Sequence, residues 1–453
     1  MTLRRKDDAV TTTRTTTDGR GPGLVLGLLL GGVARAWRKP WSRADEVVDL
    51  ALYADLTRQA EAAKIHTIFL ADGVSTDVND PQPGLEPVTL LSALAARTER
   101  IGLVGSVSTS FSAPYNVARQ IASLDHISRG RAGWNIVTSA WGGENFGIEL
   151  PPHDERYAVA EEFTRVVEEL WDSWEPGAIV RDVERNLFVD PAKVRRIDWT
   201  SEHFSVRGPL NVPRTPQGRP VLAQAGSSEA GKAFGARHAD LIFTTGLVDL
   251  GESQDLYDDV RKRAADAGRD PAQLKILPGV APVIGSTQEE AKRIWEESHE
   301  HLDLDRAREA LSKQFGGVDL SGYEWDQPVP VDLLPAEDDV QGRRSRYGVL
   351  RRLLRTGELT TLRDLVLYHA SAAGHWFPVG SVEHVADLLQ ERYESGAADG
   401  FNILPFFLEY PSGLDAITEG LIPELQRRGL FHTEYEHDTL RANLGLAPLD
   451  EEI

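Results

Sequence analysis

The hydrophobic and polar positions of this chain alternate in blocks along its length. From Leu24 onward, short apolar runs of strand length are separated by longer stretches in which apolar residues recur at helical spacing. Because a helix-like stretch follows or precedes each run, the pattern predicts repeated βα units. The eight runs are LVLGLLL (24–30), TIFLAD (67–72), IGLVGSVST (101–109), RAGWNIVTS (131–139), PVLAQAG (220–226), ADLIFTT (239–245), KILPGVAPVIG (275–285) and GFNILPF (400–406).

The runs are nearly continuous in apolar residues, which is typical of strands buried on both faces of a parallel sheet. Eight such units predict an α/β fold, a closed (β/α)8 TIM barrel, with an open doubly wound sheet as the alternative. Such a barrel typically needs about 250 residues, so a chain of 453 residues must carry insertions. We expect a disordered leader over residues 1–23 and a single barrel domain over residues 24–453, with insertions near 176–212 and 316–361. We also expect one long helix near Thr287–Gln314.

The first apolar run lies in a stretch that has the outline of an export signal. Residues 21–40, GPGLVLGLLLGGVARAWRKP, follow an arginine-containing leader and include an Ala-x-Ala motif that ends at Ala36. Cleavage after Ala36 would remove residues 24–30, and only seven predicted strands would remain to close the barrel. We therefore predict that residues 24–30 form a buried first strand, that the mature chain retains them, and that the protein is cytoplasmic.

Charge and composition narrow the possible partners. The chain has 49 Lys and Arg against 70 Asp and Glu, a formal net charge of −21. This acidic balance argues against a nucleic-acid partner and against anionic membrane surfaces, because like charges repel. No apolar run approaches the roughly 20 residues that span a bilayer. The absence of cysteine excludes disulfides, thiolate metal sites and a cysteine nucleophile.

Polar residues follow several of the apolar runs, at the end of the barrel where active sites form. Most are hydroxyls and amides, and the sequence has no His or Asp/Glu cluster with the spacing of a metal site. The set therefore favours a polar organic cofactor held by neutral hydrogen bonds, and no metal. The residues are Asp72, Ser108, Thr109, Asn135, Thr138, Ser139, Ser227 and Ser228.

The residues alone leave alternatives open at three of these positions. Asp72 ends a run and precedes a glycine, so it is either a turn or cap residue or a ligand contact. Asn135 lies inside an apolar run, where an unpaired amide is costly, so it makes either a buried structural bond or a ligand contact. In QAGSSEAG, the helix start at Ser227 or Ser228 either offers N–H groups and hydroxyls to a phosphate or is an ordinary serine cap.

Two histidine-containing motifs add candidates. In HDERY, His153 and Tyr157 are four residues apart, so they share one face of a helix that starts there, and both can donate to an anionic oxygen. A histidine near a helix start is also commonly an ordinary surface residue. The motif GHW (374–376) precedes the last run and is a candidate element on the substrate side.

Together and in this order, these segments resemble the bacterial luciferase-like FMN-dependent monooxygenases. More narrowly, they are similar to the branch that includes nitrilotriacetate monooxygenase, dibenzothiophene-sulfone monooxygenase and pristinamycin IIA synthase. The resemblance extends over nearly the whole chain. The matching segments are AWR-x-P (36–40), FLAD (69–72), STSFSAPYNVARQIASLDHISRGRAGWNIVTS (108–139), NFG (145–147), HDERY (153–157), RGPLNVPRTPQGRPVLAQAGSSEAG (207–231), AADGFNILP (397–405) and LIPELQRRGLFHTEY (421–435).

The resemblance implies a two-component monooxygenase that uses reduced FMN (FMNH2), with O2 as co-substrate, to oxidise a small organic substrate. A separate NAD(P)H-dependent flavin reductase would supply the reduced flavin by diffusion or transient contact, and the resemblance implies a homodimer or homotetramer. It places the FMN phosphate near Tyr157 and the helix that starts at Ser227–Ser228. The cofactor-binding residues that it implies are Asp72, Thr109, Asn135, His153, Tyr157, Ser227 and Ser228.

The chain departs from the family at two places on the substrate side. Many relatives carry a histidine just before the AWR element, where this chain has GGVAR (31–35), and many have IDHxG where this chain has IDWTS (197–201). The sequence therefore assigns no catalytic residue and no substrate. Two alternative functions stay open: an oxidoreductase of the same superfamily that uses the deazaflavin F420, and a flavin-binding protein without catalysis.

Overall fold

Eight parallel strands close into a barrel and follow one another in chain order around it, which confirms the predicted TIM barrel. The computed structural model describes residues 23–31, 37, 39–76, 78, 81, 83–226, 228–245, 247–300, 302–336, 344–372, 375–405 and 413–449. The barrel strands, β1 to β8 in chain order, are Val25–Leu29, Thr67–Leu70, Gly102–Ser108, Ala132–Val137, Val221–Gln224, Leu241–Thr244, Lys275–Val280 and Gly400–Ile403. Each strand lies within one of the eight apolar runs.

The first apolar run is a barrel strand. β1 pairs in parallel with β8 on one side and with β2 on the other, and Leu28 lies opposite Ile403 and Ile68. Leu26 and Leu28 are fully buried. The predicted buried first strand is confirmed, and β1 is the strand that closes the barrel.

Helices surround the barrel, and several begin at a side chain that accepts a hydrogen bond from a free N–H group of the first turn. Asp249 accepts from Glu252, and Thr287 accepts from Glu290. The helices that the structure describes, α1 to α13 in chain order, are Leu50–Ala62, Pro87–Ala95, Pro114–Ser128, His153–Trp171, Glu229–His238, Leu250–Asp266, Gln288–Ser298, Leu304–Gln314, Arg344–Thr356, Leu362–Ala372, Val382–Glu394, Ile422–Arg427 and Leu440–Asn443.

Apolar side chains fill both the space between strands and helices and the inside of the barrel. Trp134 and Trp171 are buried in the outer layer, with their rings edge to face at 6.4 Å. Inside, Val221 and Leu241 pack with Leu440 from α13. The C-terminal segment therefore closes the amino end of the barrel, and the carboxyl end is left for a site.

The two segments predicted as insertions contribute no strand to the barrel in the part of the chain that the structure describes. The first contains a hairpin of strands Ile179–Asp182 and Leu187–Val189, and a smaller ribbon of Trp199–Thr200 and Ser205–Val206. The second lies in a separate apolar cluster that includes Phe315 and Tyr347. The division into a leader, one domain and these insertions stays a prediction, and residues 1–22 lie outside the described residues.

The prediction of one long helix near Thr287–Gln314 is wrong. The segment forms two helices, α7 and α8, and the chain between them leaves helical geometry. Asp303 is the physical reason for the second start, because its carboxylate accepts from the N–H of Arg306 and caps α8. Among the described residues, none of the helices is long and apolar enough to cross a membrane.

Candidate active site

A cavity of about 340 Å³ opens at the carboxyl ends of the barrel strands. Every strand or the loop that follows it contributes to the wall: Leu29 from β1, Asp72 after β2 and Ser106 from β3 are examples. A volume above 300 Å³ is in the range of small-molecule sites in proteins. The cavity is therefore the candidate active site, at the end of the barrel where the fold predicts it.

One corner of the cavity joins the starts of two helices. His153 begins α4, and its ring lies 5.0 Å from the ring of Tyr157, one turn along the same face. Ser228 caps α5 by accepting from the N–H of Gly231 at 3.2 Å, and its hydroxyl is 3.5 Å from Nε2 of His153. The predicted shared face of His153 and Tyr157 is confirmed, and Ser228 lines the same corner.

Glycines in the β5–α5 turn and in the first turn of α5 allow the Tyr157 side chain to lie close to the start of α5. A Cβ added to Gly231 would lie 2.9 Å from the Tyr157 hydroxyl and 3.1 Å from the backbone of Gly226. A side chain at this position would force the hydroxyl to shift, so the glycine allows the tyrosine hydroxyl to reach the N-terminus of α5. A helix N-terminus, a phenol and an imidazole together offer several hydrogen-bond donors to one anionic group.

Arg156 is a site residue that the sequence did not single out. It is 8% exposed, it lines the cavity, and its Nη1 donates to the carbonyl of Pro151 at 2.9 Å. It is the single Lys or Arg among the described residues that line the cavity. The signal was present in HDERY, because Arg156 is three residues after His153 and so shares its helix face. We call His153, Arg156, Tyr157 and Ser228 the anion corner.

The wall formed by the ends of β2, β3 and β4 is mainly neutral. Ser106, Thr138 and Ser139 line it, and the Ser139 hydroxyl is 2.7 Å from that of Ser108 behind it. Asp72 lines the same wall and contributes a carboxylate to it. The loss of hydration beside the cavity wall, and then the charge of Glu86, raise the pKa of Asp72 above its usual value.

Two described residues that were predicted to contact the cofactor, Thr109 and Asn135, do not line the cavity. Thr109 is buried, and its hydroxyl donates to the carbonyl of Val137 at 3.2 Å. Asn135 donates from Nδ2 to Ser106 at 2.8 Å, which agrees with the alternative of a buried structural bond. Ser227 lies outside the described residues. Contact of these residues with a cofactor stays a prediction.

The part of the cavity wall beside β7 carries a second imidazole. His375, from GHW, lines the cavity, and a Cβ added to Gly279 of β7 would clash with its ring. The ring therefore packs directly on the glycine. The next residue fixes this position: the carbonyl of Trp376 accepts from Ala281 at 2.8 Å, and the Arg392 guanidinium lies 3.6 Å from the Trp376 ring centre.

Several polar atoms of the wall residues have no hydrogen-bond partner in the structure. They are Oε1 of Gln224, Oγ1 of Thr244 and Oδ1 of Asn402, and all three atoms are buried. Buried polar atoms are almost always paired in proteins, so unpaired ones in a cavity wall suit a ligand with hydrogen-bond donors. In the part of the chain that the structure describes, no group of three His, Cys, Asp or Glu residues could hold a metal ion.

Comparison with known families identifies the chain. The profile described as luciferase-like monooxygenase matches residues 30–399. The chain belongs to the luciferase-like monooxygenase family. It is therefore an enzyme of the flavin-dependent oxidoreductase kind. The resemblance inferred from the sequence segments is confirmed.

Relatives match this luciferase-like chain over nearly its full length. It is 42% identical over 441 residues to nitrilotriacetate monooxygenase component A of Aminobacter aminovorans, with 93% of this chain and 95% of the relative covered. It is 41% identical over 432 residues to N-acetyl-S-(2-succino)cysteine monooxygenase of Bacillus subtilis (strain 168), with 93% and 96% covered. Among solved structures, a riboflavin lyase with modified FMN and riboflavin has a TM-score of 0.82 and 31% identity, with 94% of this chain and 96% of that chain covered.

Proposed function

We propose that this protein is the oxygenase of a two-component system, which uses reduced FMN and O2 to oxidise a small organic substrate. The observation that carries the proposal is the anion corner, because it unites donors for a phosphate at one edge of a cavity of ligand size. The relatives support the reaction class: two of the most similar are named monooxygenases, and one is named as a component. Their substrates differ, and a shared fold does not fix the substrate of this chain.

The residues of the cavity fit FMN. In this proposal Arg156, Tyr157 and Ser228 hold the phosphate, and His153 is oriented by its contacts with Asp154 and Ser228. The unpaired oxygens of Gln224, Thr244 and Asn402 would accept hydrogen bonds from the hydroxyls and ring N–H of the flavin. When bound, reduced flavin would supply the electrons that activate O2, and the protein supplies orientation and a site without bulk water.

We assign His375 to the substrate side of the cavity. Its ring packs against Gly279 of β7, whereas the anion corner is formed by the starts of α4 and α5. The chain lacks the histidine that many relatives carry before the AWR element, and we assign to His375 the role of holding a polar substrate group or a proton there. This assignment predicts that His375→Asn leaves FMN affinity unchanged and weakens substrate binding or turnover.

The proposed function is tested by binding and by oxygen transfer. FMN, reduced FMN and F420 would each be titrated into the protein, and reduced FMN under 18O2 would then be supplied with a panel of organic sulfur, amine and ring compounds. Selective FMN binding and 18O in a product are expected. Selective F420 binding would support the alternative oxidoreductase, and FMN binding with only hydrogen peroxide formed across a broad panel would favour the non-catalytic alternative.

The proposal also includes the source of reduced FMN and the cellular compartment. A separate NAD(P)H-dependent flavin reductase supplies reduced FMN, and an added unrelated reductase should replace it if delivery is by diffusion. We place the protein in the cytoplasm, because β1 is needed to close the barrel and would be lost on export. The mature chain isolated from its host should therefore retain residues 24–36, and an N-terminus at Trp37 would contradict this placement.

A further inference from the structure

The hairpin of strands Ile179–Asp182 and Leu187–Val189 exposes an unusual amount of apolar surface. Val183 is 90% exposed and Phe188 is 65% exposed, and Ile179 and Val180 are 46% and 40% exposed. Soluble monomers rarely leave contiguous apolar patches of more than a few hundred Å² in water. Such a concentration on one small element indicates a surface that another protein surface covers. We call residues 179–189 the arm.

The arm is held in its shape at an energetic cost. Arg181 and Asn186 both have positive φ, 48° and 51°, and the strand register shifts between Ile179 and Asp182. Non-glycine residues in this region cost of the order of 1 kcal/mol or more each. A two-stranded hairpin is also only marginally stable when isolated. The exposed apolar side chains and the strained backbone of the arm are both unfavourable in water. A partner that covers the apolar side chains would offset this cost.

The charges of the arm point to a second copy of this chain as that partner. The chain as a whole carries −21, so two copies repel each other over most of their surface. The arm contains Arg181, Asp182, Glu184 and Arg185, two charges of each sign, and it is electrically neutral. A neutral patch avoids this repulsion, and across a two-fold axis an arginine of one copy can face a carboxylate of the other.

We propose that the arm is a surface through which two copies of this chain associate, with the apolar faces of the two arms in contact. The faces rather than the edges take part, because a bulge and flanking charges are features that block edge-to-edge strand pairing. A standard interface uses about 20 to 30 residues on each side, so surface around the base of the arm must contribute as well. This proposal does not rest on the proposed function.

Removal of the apolar side chains tests the proposal directly. The full chain and its Val183→Ser/Phe188→Ser variant would be compared by sedimentation velocity and light scattering over a concentration series. We expect the wild type to be a dimer or tetramer, and the variant to lose one level of assembly or to raise the dissociation constant about 100-fold. The matched control is Val48→Ser, since Val48 is 58% exposed and lies outside the arm. Unchanged circular dichroism would show that the variants fold.

Charge reversal gives a second, sharper test. Arg181→Glu makes the arm acidic and Glu184→Arg makes it basic, so each variant alone should associate more weakly than the wild type at low salt. Mixing the two should restore association, because arms of opposite charge then meet.

A monomeric wild type at tens of micromolar would overturn the proposal, and so would assembly that is unchanged in the double serine variant. Binding of the monomeric chain to a flavin reductase or to lipid vesicles through the arm would overturn it as well, in favour of that occupant. Recovery of association in the mixed charge variants would support it most strongly, since a structural role of the arm would not produce it.

Discussion

The two ends of this barrel both bury polar groups, but they pair them differently. At the amino end, Asp240 accepts from the backbone of Leu222 at 2.9 Å and from Arg441 at 2.8 Å. Asp125, fully buried, accepts from the backbone of Ala132 and from the side chain of Gln217. These carboxylates have their partners within the protein, as a buried charge requires.

At the carboxyl end, most of the buried polar groups are neutral, Arg156 is the charged exception, and some of the neutral oxygens lack partners. The unpaired oxygens of Gln224, Thr244 and Asn402 belong to residues that line the cavity. A buried carboxylate without partners would be far more costly than a buried amide, so the unpaired groups that await a ligand in this wall are neutral oxygens. We therefore expect substitutions of the paired charges at the amino end to change stability, and substitutions in the cavity wall to change ligand affinity.

The largest effect is expected at the amino end, from Arg441→Met. The substitution removes the ion pair of Asp240 and leaves a buried carboxylate poorly compensated, which costs about 3 kcal/mol or more of the free energy of unfolding. Urea unfolding measures the loss, and FMN affinity should not change. The control is Arg427→Met, because Arg427 pairs with Glu424 on the surface and is 70% exposed. A variant of Arg441 as stable as the control would contradict the structural role.

The next effect belongs to the carboxyl end, from Arg156→Met. If Arg156 contacts the FMN phosphate, loss of a charge-assisted hydrogen bond of about 1.5–3 kcal/mol should weaken FMN binding roughly 10- to 100-fold. Quenching of flavin fluorescence gives the affinity, and riboflavin, which lacks the phosphate, should bind wild type and variant equally. An equal loss for riboflavin would show that Arg156 acts through the fold and not through the phosphate.

The sequence predicted the strands of the barrel and one helix face of the site well, because local patterns encode both. Continuous apolar runs mark strands buried on both faces, and all eight barrel strands were found in this way. The shared face of His153 and Tyr157 follows from helical spacing alone. Arg156 was missed because a charged residue in the first turn of a helix is equally typical of a solvent-exposed position.

Other parts of the site depend on contacts that no local pattern contains. The position of His375 is set by its packing on Gly279, which is distant in the chain, and by the anchoring of Trp376 to Ala281. Thr109 donates to the carbonyl of a neighbouring strand end, so its hydroxyl direction depends on the pairing of β3 with β4. The exposure of the arm could not be predicted from the sequence either, because its mixture of apolar and polar residues is equally typical of a strand that is covered on one face.

A smaller effect at the carboxyl end is expected from Gly231→Ala. Within a helix, alanine is favoured over glycine by about 1 kcal/mol, so stability should not fall much. The new Cβ would displace the Tyr157 hydroxyl from the start of α5, and FMN affinity should fall about tenfold, the value of one hydrogen bond. Gly251→Ala in α6 is the matched control, since its Cβ would meet only Asp249, at 3.2 Å. Equal FMN affinity in both variants would exclude Tyr157 as a contact.

The last effect is a pH dependence and concerns two histidines at the amino end. His66 is 5% exposed, its ring is stacked on His432 at 4.4 Å, and its Nδ1 accepts from the backbone of Leu26. Burial, and then the neighbouring His432, hold the pKa of His66 well below its ordinary value of 6.5. Burial also lowers the pKa of His432. Both rings are therefore neutral in the folded chain at a pH where the unfolded chain is already protonated.

The sign of the resulting pH dependence follows from this difference. As the pH falls below 6.5, the unfolded state binds more protons than the folded state, so stability falls by at most about 1.4 kcal/mol per pH unit for each histidine. Urea unfolding between pH 6.5 and 5 should show this slope, and His66→Gln should make it shallower whatever its absolute stability. His238 is the internal control: burial lowers its pKa, but Glu161 and Glu168 raise it overall. Its contribution is therefore complete below pH 6.5 and is lost above it, so His238→Gln should leave the acid slope unchanged and alter only the alkaline side.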